Sequence, residues 1–185
     1  MEEKHYVQPN ELLYDSFKLA KQIYESEFKP TFIVGLWRGG STIAIAMHEY
    51  LTYRGIETEH VPSKTSGYKK GIDQQKKQVQ VDLLEYIVRN ANADDRLLIV
   101  DDIYDTGRSV DKFIEILKQE SRANMPTEVR VATVFYKPLR NQTSRVPDYF
   151  IHETDSWVVF PHELVGLSLD EIEAGKGKEV ANLLK

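Results

Sequence analysis

Asp101, Asp102 and Asp105 fall within one run, Leu97 to Ser109, LLIVDDIYDTGRS. The first two end an apolar stretch that reads as a buried strand, and the third lies in the turn before a helical pattern. In an open α/β sheet, ligands bind beyond the carboxyl ends of the strands, which is where the acid pair stands. Asp105-Thr106-Gly107-Arg108-Ser109 adds a glycine turn, hydroxyls and free backbone N–H groups at a helix N-terminus, a ready phosphate site. Carboxylates accept hydrogen bonds from sugar hydroxyls while such a nest holds an anion, so the segment suits a ribose phosphate. Taken alone, a D-x-x-x-D turn is more often a solvated acidic turn with a capping Asp or Ser. No G-x-x-x-x-G-K-[ST] element occurs, so a P-loop nucleotidase is not supported.

Short β-rich runs alternate along the chain with amphipathic stretches, which predicts an α/β domain with a mainly parallel, twisted sheet flanked by helices. A first helix is expected after Asn10, with Leu13, Phe17, Ala20 and Tyr24 as its apolar stripe. Thr31–Leu36 reads as a strand, followed by the Arg38-Gly39-Gly40 loop and a helix through Ile43, Met47 and Tyr50. Glu57–Pro62 is a second strand candidate. The polar, lysine-rich stretch at about 63–78 is expected to be a mobile loop. Leu83, Leu84, Ile87 and Val88 suit a short helix, Arg96–Asp101 a buried strand, and Val110, Phe113, Ile114 and Leu117 one face of a helix from about Ser109. Val129–Tyr136 and Tyr149–Ile151 complete the strands.

The chain has 185 residues, 41% of them hydrophobic, enough for one sizeable core, and residues 1–185 are read as a single domain. A formal net charge of -5 argues against nucleic acid as a partner. With no cysteine, disulfides and thiolate metal sites are excluded. No apolar run reaches the ~18 residues of a membrane span or resembles a signal peptide, so a cytoplasmic protein without membrane partners is expected. His5, His48, His60, His152 and His162 lack metal-ligand spacing with one another.

The Leu97–Ser109 run resembles the signature segment of type I phosphoribosyltransferases. Three further segments are similar to the 6-oxopurine branch of that family, the xanthine-guanine and hypoxanthine-guanine phosphoribosyltransferases. They are Gly35–Ser41 (GLWRGGS), Phe135–Pro138 (FYKP) and Tyr149–Glu163 (YFIHETDSWVVFPHE). By themselves, R-G-G is most often a surface turn, a lone lysine a solvated residue and a lone tryptophan a core residue. The resemblance implies the type I fold with a hood loop at about 63–78, a small base-binding hood at about 137–165, and an extension at 166–185. It implies that Arg38, Gly39 and Gly40 hold diphosphate, with a cis peptide at Trp37-Arg38. It implies that Asp101 and Asp102 contact the ribose hydroxyls directly or through Mg2+, and that Thr106, Gly107, Arg108 and Ser109 cradle the 5′-phosphate together with Asp105. Asp105 is also the candidate general base. Lys137 would donate to the 6-oxo group, Trp157 would stack on the purine and the backbone of Val158 would read its edge. Glu163 stands where the family usually has a magnesium-binding Asp.

The activity implied is purine salvage: phosphoribosyl diphosphate and guanine, xanthine or hypoxanthine give the nucleoside monophosphate and diphosphate. An ammonium has only donors, so Lys137 favours a 6-oxo group over the 6-amino group of adenine. Family members are commonly oligomeric, so a homodimer or homotetramer is expected. Two alternatives stand beside this one. A regulator on the same fold would bind phosphoribosyl diphosphate or a nucleotide without turnover, and a transferase could take another base. The tail beyond Gly166 has Leu169, Ile172, Val180, Leu183 and Leu184 at helical positions and would pack on the core or on a partner subunit.

Overall fold

The structure is a computed structural model that describes residues 4–64 and 84–185. These fall into two compact units, Asp15–Asp155 and the pair of segments Met1–Tyr14 and Ser156–Lys185.

The larger unit is built on a five-stranded, wholly parallel sheet in the order β3-β2-β4-β5-β6. Its strands are β2 (Phe32–Trp37), β3 (Glu59–Lys64), β4 (Arg96–Tyr104), β5 (Glu128–Tyr136) and β6 (Tyr149–Glu153). The helices are α1 (Pro9–Glu25, from Asp15 onward in this unit), α2 (Gly39–Tyr53), α3 (residues 84–90) and α4 (Arg108–Ser121). A parallel sheet covered on both faces needs near-continuous apolar strands, and β4 supplies Leu97, Leu98, Ile99 and Val100, all fully buried. Alternate residues serve opposite faces. Phe32, Val34 and Leu36 of β2, with Leu97, Ile99 and Val131, join Ile87, Ala91, Val110, Phe113 and Leu117 in one core. α2 packs against β2 and β4 and buries Ile43, Met47 and Leu51.

The smaller unit pairs β1 (Lys4–Tyr6) in parallel with β7 (Trp157–Val159), followed by α5 (Leu169–Lys176) and α6 (Lys178–Asn182). Val7, Leu12, Val158, Val159, Phe160, Ile172 and Ala181 are its buried apolar residues. Ile172 and Ala181 thus bring the tail into this unit's core, while Leu183 stays exposed. Gly177, at φ 95, divides α5 from α6.

Several boundaries move relative to the sequence reading. β3 runs two residues past Pro62, so Ser63 and Lys64 belong to the strand and not to the polar loop. The rest of that loop, 65–78, and Leu83 lie outside the described residues. The buried stripe of α1 is Leu12, Asp15, Ser16, Leu19, Ala20 and Ile23, and Leu13 and Phe17 are exposed. Of the expected stripe Ala20 is buried and Tyr24 half-buried, and at its first two turns Leu12 and Ser16 take the inward places expected of Leu13 and Phe17, because the polar Asp15 and Ser16 interrupt the buried face. Burial of Asp15 is made tolerable by partners from two elements: His152 Nε2 lies 2.6 Å from Oδ2 and Lys18 Nζ 3.4 Å from Oδ1. The short strands β1 and β7 gave no alternating pattern long enough to recognise.

Candidate active site

Because every strand of the larger sheet runs in one direction, the carboxyl ends of β2, β4 and β5 lie along one edge, and the candidate residues follow them. Strand β2 ends at Trp37, whose peptide bond to Arg38 is cis, and α2 starts at Gly39. Neither glycine has room for a side chain. A Cβ on Gly39 would come within 1.6 Å of Asp102 Oδ2, and one on Gly40 within 2.2 Å of the Val100 carbonyl oxygen. The backbone of the first turn of α2 therefore packs closely against the acid pair. Arg38 is exposed beside it and makes no side-chain cap.

The two aspartates are braced by backbone. The Asp102 N–H donates to Asp101 Oδ1 at 3.0 Å, and the Ile103 N–H donates to Asp102 Oδ1 at 2.8 Å. Burial pushes the Asp101 carboxyl well above the ordinary aspartate range, the Asp102 charge adds to the rise, and the Gly40 N–H opposes it.

The turn after β4 is shaped by Gly107, at φ 76 in the left-handed region. A Cβ there would lie 2.6 Å from Tyr104 Oη and 2.7 Å from Thr143 Oγ1. No side chain caps the N-terminus of α4, so its first N–H groups face outward beside the exposed Arg108 and Ser109. The segment after Lys137 folds onto this turn. Gln142 N–H donates to the Thr106 carbonyl at 3.1 Å, and Tyr104 Oη lies 3.0 Å from Thr143 Oγ1. Arg140 Nε stands 2.8 Å from Asp105 Oδ1, an ion pair not aligned as a hydrogen bond. Sequence reasoning missed Arg140, Gln142 and Thr143, since nothing in their local pattern reveals contact with a turn more than thirty residues earlier.

Lys137 follows β5 directly and is only 4% exposed, with its N–H donating to the Tyr104 carbonyl at 2.9 Å. Its stem is enclosed, while Nζ is not among the sealed polar atoms that lack a partner, so the ammonium sits at the end of a buried stem with access to solvent. Arg38 to Gly40, Asp101, Asp102, Asp105 to Ser109 and Lys137 thus all belong to the larger unit.

Trp157, Val158 and Glu163 belong to the smaller one. Trp157 is 50% exposed, so the core-tryptophan reading does not apply. Val158 is buried opposite His5 in the β1–β7 pair. Glu163 Oε2 accepts from the Phe160 N–H at 3.1 Å, closing the turn after β7.

The acid pair fits a hard divalent cation. Two adjacent carboxylates supply oxygen donors, and burial, with the Asp102 charge second, raises Asp101, so a cation placed there would favour its ionised form. Magnesium commonly takes only one or two carboxylates and fills its sphere with water and substrate oxygens. No cluster of three or more ligating side chains is found among the described residues.

A family model described as phosphoribosyl transferase domain matches residues 6–171. Among solved structures, a purine phosphoribosyltransferase from Pyrococcus horikoshii is similar at 27% identity and a TM-score of 0.66, over 89% of this chain and 97% of that one. A hypothetical protein from Neisseria gonorrhoeae with bound ppGpp matches at 17% identity and a TM-score of 0.65, over 100% of this chain and 99% of that one. The xanthine-guanine-hypoxanthine phosphoribosyltransferase of Helicobacter pylori matches at 19% identity and a TM-score of 0.57, over 86% of this chain and 92% of that one. No curated protein matches the chain by sequence at a significant level.

Proposed function

The chain belongs to the phosphoribosyl transferase domain family, and on that premise we propose that it transfers a phosphoribosyl group from phosphoribosyl diphosphate to N9 of a 6-oxopurine. Guanine, xanthine and hypoxanthine are the substrates in view, and diphosphate is released. The observation that carries the choice of base is Lys137, whose side chain is 4% exposed directly after the carboxyl end of β5. Such a group is stabilised by an acceptor brought from outside, and a purine 6-oxo oxygen is one. Adenine offers a donor at that position and would leave the ammonium unpaired.

The chain's own residues perform a mainly positional task. Asp101 and Asp102 accept from the ribose hydroxyls. The N-terminus of α4 with Thr106, Gly107, Arg108 and Ser109 binds the 5′-phosphate. Arg38 and the N–H groups of Gly39 and Gly40 take the diphosphate oxygens. Trp157 stacks on the purine and the backbone of Val158 meets its edge. As the glycosidic carbon loses diphosphate and bonds to N9, Asp105 accepts the purine proton. Asp101 and Asp102 would hold magnesium, which would supply charge to neutralise the departing diphosphate, and Glu163 is a separate candidate metal ligand.

The test is nucleotide formation from each of guanine, xanthine, hypoxanthine, adenine, uracil and orotate with magnesium and phosphoribosyl diphosphate. Turnover confined to 6-oxopurines supports the proposal. Turnover of adenine or a pyrimidine alone would replace it with a transferase for that base. Fold does not separate a transferase from a binding protein, and the Neisseria gonorrhoeae protein with bound ppGpp has a related fold. Binding of phosphoribosyl diphosphate without turnover of any base would therefore favour the regulator. A homodimer or homotetramer in the cytoplasm is part of the same proposal, and sedimentation measures the first. No helix among the described residues is long and apolar enough to cross a membrane.

A further inference from the structure

Parallel pairing of β1 with β7 sets Lys4 beside Trp157. The Lys4 ammonium lies over the indole, 5.4 Å from the ring centroid. It is held there by Glu171 of α5, whose Oε1 pairs with Lys4 Nζ at 2.5 Å. Glu171 is itself fixed by a capping box: its Oε2 accepts from the Ser168 N–H at 2.9 Å, and Ser168 Oγ accepts from the Glu171 N–H at 3.2 Å. The other end of α5 holds the turn after β7. Lys176 donates to the Phe160 carbonyl at 2.6 Å and to that of Pro161 at 3.3 Å. Gly175 lets the helix approach β1, since a Cβ there would come within 2.1 Å of Tyr6 Cδ1. Helix α5 thus grips both β1 and the turn that follows Trp157.

We infer that Lys4 is a positioning residue for the purine: its ammonium, anchored by Glu171, covers one face of Trp157 and leaves the opposite face to stack on the base. The inference rests on the reading of Trp157 as the stacking residue. A cation over an indole face is attracted by the ring quadrupole. A ring already ordered by that contact loses less freedom when the base arrives, so the gain appears in base affinity. The Glu171 hydrogen bond raises the Lys4 ammonium above the ordinary lysine value, so the cation is present at neutral pH.

Steady-state kinetics on the whole protein test this with guanine as the probe. Lys4→Met is expected to raise the KM for guanine about fivefold, leaving kcat and the KM for phosphoribosyl diphosphate unchanged. Lys4→Arg should restore the guanine KM. Glu171→Gln should move it in the same direction as Lys4→Met, and it serves as the test if Lys4→Met does not fold. In a Trp37→Phe background, which leaves Trp157 as the single tryptophan, Lys4→Met should also shift the emission of the unliganded protein. A merely structural role would move thermal stability without either of these signals. A native guanine KM in both Lys4→Met and Glu171→Gln, with Trp157→Ala still raising it, would overturn the inference while keeping Trp157 as the stacking residue. A native guanine KM in Trp157→Ala would remove the stacking reading and the inference together.

Discussion

At the scale of single residues, the site was legible where a side chain's chemistry and its place at a strand end coincide. Asp101, Asp102 and Lys137 follow apolar runs whose carboxyl ends share one edge of a parallel sheet. Partners that arrive through loop folding, such as Arg140 on Asp105, were not legible, because no local period records them. Lys137 yields a prediction with two readouts. Lys137→Met keeps the length of an almost fully enclosed stem and removes its charge, so thermal unfolding should occur at an equal or higher temperature than in the native chain. The same change should lower kcat/KM for guanine by about 10- to 100-fold, the scale of one charged hydrogen bond. Gly39 gives another. A methyl group there would have to displace the Asp102 carboxylate, 1.6 Å from its ideal position. Gly39→Ala is expected to reduce kcat about a hundredfold, as a misplacement of about 1 Å can, with circular dichroism showing the fold retained.

At the scale of elements, the long strands were legible because burial on both faces makes them continuously apolar, whereas α1 was misread by one position in its first two turns. Its buried stripe contains Asp15, and a carboxylate in an apolar stripe makes sense only with its partners known. Asp15→Ala should lower the unfolding free energy by about 0.5–1.5 kcal/mol, measured in urea, by removing the hydrogen bond that ties α1 to His152 of β6. Elements α5 and β1 were beyond sequence reasoning as a pair, since the contact joining them spans nearly the whole chain. Their ion pair carries a pH signature. The Lys4 hydrogen bond, chiefly, holds the Glu171 carboxyl below the ordinary glutamate range, so its contribution is complete above that range and is lost as pH falls through the lowered value. Lys4, raised chiefly by Glu171 and slightly by Tyr6, contributes fully below the ordinary lysine value and loses its share as pH rises through the raised one. The stability difference between the native chain and Glu171→Gln, followed by denaturant unfolding, should be flat through neutral pH and shrink at both extremes.

At the scale of the molecule, charge and fold narrow the function without choosing the substrate. A net charge of -5 disfavours polyanionic partners, and a parallel sheet with acids and an anion nest at its carboxyl edge suits a small phosphorylated ligand. The proposed choice of base rests on Lys137 of the larger unit, so the account is tested most directly by competition. Guanine and adenine supplied together, with limiting phosphoribosyl diphosphate and magnesium, report the ratio of their kcat/KM values. The account predicts preference for guanine by about 10^3 or more, because adenine would set a donor against the Lys137 ammonium where guanine offers an acceptor. Equal use of the two bases, or preference for adenine, would contradict it.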